Sequence, residues 1–355
     1  MTNSAPSLRD VAQAAGVSLA TASRALNNKT HVQPSTRALV LKAAADLGYK
    51  LQVRVAPSAA TEFNTVGVLI KRDPFGKARL DPFYYHVLCG IEDECQRLGL
   101  SLMYASLPVN EYSNASTWSP LLENGEVDGL VIVGIVFSDA EIIQRIPTHI
   151  PVIVVDALVP GFESDIITTD NLNGAYKAVS YLIEQGHRHI GLIGSSVSDA
   201  DHPSIIERRA GYLKALADHG IKETYVEESI MSPESAYNAV LRLLQHSPQV
   251  SAIFSCNDLL AEHAVRAIKD AGLRVPEDIS VIGFDDTEEG ISCRPPLTTM
   301  HVDKQLMGTL AVRQLYDRTA NPDRVTINLQ MRTKLIVRES IAPYRGKTRL
   351  NNQRG

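Results

Sequence analysis

Cysteine is scarce in this chain. The four present in 355 residues, Cys89, Cys95, Cys256 and Cys293, form no C-x-x-C pair and have no histidine at ligand spacing. That excludes a disulfide framework or a zinc site and predicts buried free thiols. No run of 18 apolar residues occurs, and the N-terminus has no apolar signal core, so neither a membrane span nor export is expected and a cytoplasmic location follows. Phosphate-cradling and nucleophile motifs are missing too. GLIGSS at 191–196 is not a G-x-G-x-x-G turn, and neither G-x-x-x-x-G-K-[ST] nor G-x-S-x-G is present. His187 and His189 stand in a turn before a strand rather than in a catalytic constellation. No enzyme, cofactor or metal is expected.

Charge is unevenly spread. The chain carries −5 overall, yet residues 1–60 hold seven Lys and Arg against two Asp, a net +5 that leaves −10 for the remainder. A basic head on an acidic body assigns any polyanionic partner to the head. Within it, SLRDVAQAAGVSLATASRALN at 7–27 has the layout of two short helices joined by a glycine turn. Ser7 is a candidate N-cap with Asp10 three residues on. Leu8, Val11, Ala12 and Ala15 recur at one helical face. After Gly16, Ser18 is expected to cap a second helix with Thr21 at its third position, leaving Ala22 and Leu26 to pack inward. Leu19, Ala20, Ser23 and Arg24 are then outward, where Arg suits guanine and apolar groups suit the thymine methyl.

The length suits a small head plus a body of two lobes, and 44% hydrophobic with 21% charged residues fits a globular protein. Beyond residue 64, apolar strands alternate with helical stretches, which predicts parallel sheets covered by helices on both faces. The strands are expected at 65–70, 101–105, from 129, at 151–156, and within HIGLIG, AIFSCND and SVIGFDD. In such sheets ligands sit beyond the carboxyl ends of the strands. Asp156, Asn257 and Asp285 all stand there, although Asp and Asn after strands also cap the next helix.

AQAAGVSLATASRALN, followed by a third helix in STRALVLKAAADLGY, resembles the DNA-binding headpiece of the lac repressor (LacI/GalR) family of bacterial transcription regulators. The likeness continues through DNLNGAYKAVSYLIEQGHRHIGLIG, ERRAGYLKAL, FSCNDLLAEHAVRAIKDAGLRVPEDISVIGFDD and PPLTTMHVDKQLMG, and so covers nearly the whole chain. The resemblance implies an α/β fold with a three-helix head (1–50), a linker (51–64), a two-lobed periplasmic-binding-protein-like body (65–343) and a polar tail (344–355). It implies that the chain crosses between lobes near 161, near 290 and at 334–343. It further implies a homodimer on double-stranded operator DNA, controlled by a small effector, with a sugar the leading candidate. A purine- or nucleoside-responsive regulator and a solute-binding transport receptor are the alternatives, and the latter would need an export signal and no DNA head.

On the head, Ser7, Ser18, Leu19, Ala20, Thr21, Ser23, Arg24, Asn27 and Lys50 are the expected DNA-binding residues. In the body, the resemblance raises Asp285, the first Asp of GFDD, and Arg208 of the R-x-x-G-Y pattern. Arg208 can fork two hydrogen bonds into a ligand, or be a surface cation. Phe83 and Tyr84 are expected to offer aromatic faces to a sugar ring, with core packing as the rival role, and Tyr85 to point elsewhere. Met231 is a weaker candidate for a cleft wall by its place in the resemblance, with core packing as its expected role. The linker departs from the family pattern. Tyr49 matches, but Leu51 and Gln52 replace the proline and asparagine, and Ser58 stands at the place of the leucine that wedges into the minor groove. Pro57 beside it disfavours a hinge helix there, at about 3 kcal/mol.

Overall fold

The computed structural model describes residues 8–18, 21–22, 25, 33–47, 63–72, 80–115, 117–119, 126–198 and 201–346. The chain divides into two compact units, Met1–Ala60 and Thr61–Gly355.

In the first unit α1 (Leu8–Ala14) ends in a turn at Gly16, whose φ of 64° is left-handed. Glycine meets that geometry without a Cβ penalty. Ser18 caps the next helical stretch: its Oγ accepts from Thr21 N at 3.1 Å, and Thr21, Ala22 and Ala25 have helical backbone. α2 (Pro34–Asp46) starts on a proline at N1, where the missing N–H is harmless. Val11, Ala12, Ala22, Ala25, Val40, Ala43 and Ala44 form the core, with Ala15 and Val17 against it. Small residues let short helices approach closely, which is how a core of this size closes. Ser7, Leu19, Ala20, Ser23, Arg24, Leu26, Asn27, Lys50 and the linker residues 51–62, Pro57 and Ser58 included, lie outside the described residues.

The second unit alternates strands and helices in the order β1 (Thr65–Lys71), α3 (Pro82–Leu98), β2 (Ser101–Leu107), β3 (Gly129–Val133), α4 (Ala140–Ile143), β4 (Val152–Val155), β5 (Asp165–Thr169), α5 (Asn171–Glu184) and β6 (Ile190–Ile193). It continues with α6 (Pro203–Asp218), β7 (Tyr225–Val226), α7 (Pro233–His246), β8 (Ala252–Ser255), α8 (Asp258–Asp270), β9 (Ser280–Asp285) and α9 (Glu288–Ser292). β10 (Thr298–His301), α10 (Lys304–Ala320), β11 (Asn328–Met331) and β12 (Lys334–Ile336) complete it. Two six-stranded sheets result, ordered β11-β5-β4-β3-β1-β2 and β12-β10-β9-β8-β6-β7. All pairs are parallel except β10 with β12. The orders match place by place, so β4 of one lobe corresponds to β9 of the other. Buried strands such as β3, β4 and β8 are covered on both faces, as their unbroken apolar runs require.

The passages between lobes fall at Asp170, at Val302–Asp303 and at Arg332–Thr333, not near 161 and 290, and the third precedes 334–343. The turn at Pro160–Gly161 still leads into β5, which pairs with β4 in the first sheet, and the segment after 290 still supplies β10 to the second. Chain punctuation there marks a connection within a lobe rather than a passage between lobes.

The first lobe is tied together along α3 and α10. Gly90 and Gly308 let these helices meet backbone to backbone: a Cβ at Gly308 would lie 2.0 Å from Val87 O, and one at Gly90 2.0 Å from Gln305 O. Further along, buried Glu94 accepts from Arg97 and Arg313, and those bonds hold its carboxyl down at about 2. At the end of the lobe where the linker arrives, Asn64 N and Thr65 N both donate to Asp128 Oδ2 at 2.8 Å, and Phe63 packs edge-on against Tyr316 of α10. Gly308→Ala should therefore destabilise the body by about 1 to 3 kcal/mol, since backbone rather than a flexible side chain must give way. Urea unfolding checks this, and an unchanged midpoint would contradict the close helix contact.

Candidate functional site

One cleft, about 740 Å³ of space partly open to solvent, is lined by residues of both lobes at the carboxyl ends of their strands. Phe83, Tyr84, Asp156, Arg208, Asn257 and Asp285 all line it. Met231 does so too while packing against both main apolar clusters, whereas Tyr85 points away and is 54% exposed.

The aromatic pair is placed by the start of α3. Asp81 caps that helix by accepting from Phe83 N at 2.9 Å, and Pro82 sets the first turn. Phe83 and Tyr84 then meet edge to face at 5.1 Å. The Tyr84 ring lies on Gly134, where a Cβ would come within 2.4 Å of Cζ, so only glycine fits beneath it. Tyr84 OH donates to Asp156 Oδ2 at 2.9 Å, and burial with nearby Asp156 pushes the phenol well above its usual range.

Asp156 follows β4 and Asp285 ends β9, corresponding positions in the two sheets. Both have positive φ, 43° and 102°, a region costly for a residue with a Cβ and most often met at functional sites. Arg208 of α6 holds Asp285. Its Nη2 donates to Asp285 Oδ1 at 2.9 Å, Nη1 to Cys256 O and Nε to Asn171 Oδ1, while the guanidinium stacks 3.8 Å from the Phe284 ring centroid. Burial raises the Asp285 carboxyl above its ordinary value, opposed by the charges of Arg208 and Lys304. Among the described residues Asp156 Oδ1 and Asp285 Oδ2 accept no hydrogen bond. Asn257 is divided between two roles: its Oδ1 caps α8 by accepting from Leu260 N at 2.9 Å, while the residue lines the cleft.

His202, Ser204, Asp258, Thr287 and Lys71 also line the cleft and were not anticipated. His202 caps α6, and its Nδ1 accepts from Ser204 N, which assigns the ring proton to Nε2, the donor to Asp156 O at 3.2 Å. The bond joins the two lobes. Burial pushes this imidazole down to about 4. Asp258 accepts from Thr299 Oγ1 at 2.7 Å and Thr287 N at 2.9 Å, and burial pushes its carboxyl up to about 8. A histidine beside Pro203 and the aspartate that ends SCND were the available signals, but neither implies burial. Elsewhere, His187 bonds Ser251 Oγ and Ala342 O, and His189 bonds Tyr225 OH, which are structural roles. Among the described residues no three His, Cys, Asp or Glu are grouped to hold a metal, and no helix is long and apolar enough to cross a membrane.

A helix-turn-helix unit and a two-lobed body with a polar cleft between the lobes define a DNA-binding transcription regulator under the control of a small effector. The profile described as bacterial regulatory proteins, lacI family, matches residues 7–52, and that of a periplasmic binding protein-like domain matches 179–341. The HTH-type transcriptional repressor PurR of Haemophilus influenzae (strain PittEE) is 30% identical over 341 residues, 94% of this chain and 98% of the relative. PurR of Erwinia tasmaniensis is 30% identical over 345 residues, 95% and 98% of the two chains. Among solved structures, the transcriptional regulator CelR in complex with cellobiose superposes with a TM-score of 0.65 at 28% identity, covering 94% of this chain and 99% of that one. The lac repressor dimer bound to operator and the anti-inducer ONPF gives 0.64 at 26% identity, with 96% and 100% covered. The chain belongs to the lacI family of bacterial regulatory proteins.

Asp258 and His202 give the body opposite pH responses. Asp258 keeps its proton to about pH 8 when folded and loses it near 3.8 when unfolded, so its stabilising contribution is full below 3.8 and is lost as pH rises to about 8. His202 stays neutral to about pH 4 when folded and protonates near 6.5 when unfolded, so its contribution is lost as pH falls from 6.5 to about 4. The stability of wild type relative to Asp258→Asn should decline across the first window, and relative to His202→Gln across the second, by at most about 1.4 kcal/mol per pH unit. Denaturant titrations at several pH values check this, and parallel curves would contradict it.

Proposed function

We propose that the cleft binds a neutral, polyhydroxylated effector, a sugar, and that a homodimer of this cytoplasmic repressor reads a pseudo-palindromic operator through its heads. The observation that carries the effector class is the pair of carboxylates, Asp156 and Asp285, presented by opposite lobes with one oxygen each that accepts no hydrogen bond among the described residues. Sugar hydroxyls donate to such oxygens in strong charge-assisted bonds. Phe83 and Tyr84 would face the ring, and Arg208 and Asn257 would supply donors.

Charge argues against a phosphorylated effector. Lys71 and Arg208 are the cations among the cleft residues, while Asp81, Glu111, Asp156, Asp201, Asp285 and Glu289 line the same space, and Arg208 is already paired. Ser18 and Thr21 sit at the start of the second head helix, Ser18 exposed, where they can face DNA with Leu19, Ala20, Ser23, Arg24 and Asn27; Ser7 and Lys50 are assigned to the DNA backbone.

A thermal-shift panel of neutral sugars, sugar phosphates and nucleobases tests the effector class. A ligand at a hundredfold its Kd stabilises by about 2.7 kcal/mol. Neutral sugars should shift the protein. Stabilisation by sugar phosphates or nucleobases alone would overturn the reading. For a sugar that binds, Asp156→Asn and Asp285→Asn should each weaken affinity about tenfold to a hundredfold by calorimetry, the loss of a hydrogen bond to a charged group. Removing residues 1–60 should abolish operator binding and leave that affinity unchanged, and a body that still retards the operator would contradict the division of roles.

A further inference from the structure

Lys304 is a buried cation at the second passage between lobes. It begins α10, a helix of the first lobe, yet its Nζ donates to the carbonyl oxygens of Asp285, Asp286 and Val302, the latter two at 3.0 and 3.2 Å. The ammonium also lies 5.9 Å from the ring centroid of Phe83 on α3. Lys304 is 7% exposed, and among the described residues each of its hydrogen bonds goes to a carbonyl, none to a carboxylate. An ammonium taken out of water without an ion pair is expensive, so several converging acceptors are needed to keep it there.

What it holds is unusual backbone. Asp285 and Asp286 are consecutive residues with φ of 102° and 57°, both in the region that disfavours a Cβ. Their side chains are secured by others: Asp285 by Arg208, and Asp286 by Arg338 and His301. Their carbonyls are gathered by Lys304. We propose that Lys304 is a positioning residue for the effector site, which fixes the strand-end carboxylate of Asp285 from the neighbouring lobe by chelating the backbone of Asp285 and Asp286. This rests on the assignment of Asp285 as an effector contact. The charged and titratable groups that face Asp285 are Arg208 of α6, Lys304 of α10, Asp156 after β4, Cys256 after β8, Asp258 of α8 and Tyr84 of α3, with Asp286 beside it. Lys304 and Arg208 are the two cations of this set, so removing Lys304 leaves Asp285 with a single counter-charge.

The test is a carbon-13 titration of the Asp285 carboxyl in the full chain, assigned with Asp285→Asn, together with calorimetry using cellobiose and D-ribose as probes. In Lys304→Met the Asp285 midpoint should rise by about one pH unit or more, a tenfold change in its proton affinity, while Lys304→Arg stays near wild type and Asp128, at the far end of the lobe, does not move. Should Lys304→Met fail to fold, Lys304→Gln, which keeps a donor but not the charge, reads the same shift. An unmoved midpoint overturns the proposal whatever the sugars do. A moved midpoint with neither sugar bound by wild type supports the positioning role and counts against the sugar reading. A moved midpoint with sugar affinity unchanged between wild type and Lys304→Met removes Asp285 from the effector contacts.

Discussion

The guanidinium of Arg208 is the interaction on which the body depends most. Its three nitrogens bond Asp285, Cys256 O and Asn171, and its face covers Phe284. These partners belong to the ends of β8 and β9 and to the residue after the first passage between lobes. Breaking a buried pair by removing one partner strands a charge, which typically costs about 3 to 5 kcal/mol. The arrangement is thus both the floor of the cleft and part of the junction that orients the lobes. Asn171 extends it by donating to Glu207, whose carboxyl is raised by burial.

Several contacts bridge the lobes around that floor. His202 reaches Asp156 O, Lys304 reaches the carbonyls after β9, and His86 of α3 meets Glu288 of α9 at 3.1 Å. α10 carries this further, since the helix that begins with Lys304 at the cleft also bears Tyr316, against which Phe63 packs where the linker enters the body. α10 thus has contacts both beside Asp285 and at Phe63, the first described residue of the second unit.

Local signals were legible. The Ser18 cap with Thr21 at its third position forms as its spacing implies, and the strands with continuous apolar runs form where expected. The six expected cleft residues were reachable because Asp156, Asn257 and Asp285 stand at strand ends, because Phe83 and Tyr84 follow Pro82 at the start of the first body helix, and because the family resemblance covers Arg208. The places where sequence reasoning stopped share a cause. β5, β11 and β12 are short, and β11 alternates exposed and half-buried residues without an apolar run. The passages at 170 and 302 depend on which partners the flanking elements take, β5 beside the distant β11 and α10 against the distant α3, and sequence order does not state those partners. His202, Asp258 and Lys304 look like surface residues by type and become buried only through partners that tertiary structure supplies.

In an effector-controlled regulator, occupancy of the cleft and affinity for DNA form a single linked equilibrium. Linkage requires that an effector which changes operator affinity by some factor has its own affinity changed by the operator by the same factor. The direct measurement is operator affinity of the full chain across a titration of a bound sugar, paired with sugar affinity measured with and without operator. Equal factors, both reduced toward one in Arg208→Lys, are the result expected from this account. Operator affinity that does not respond to a saturating sugar would contradict it.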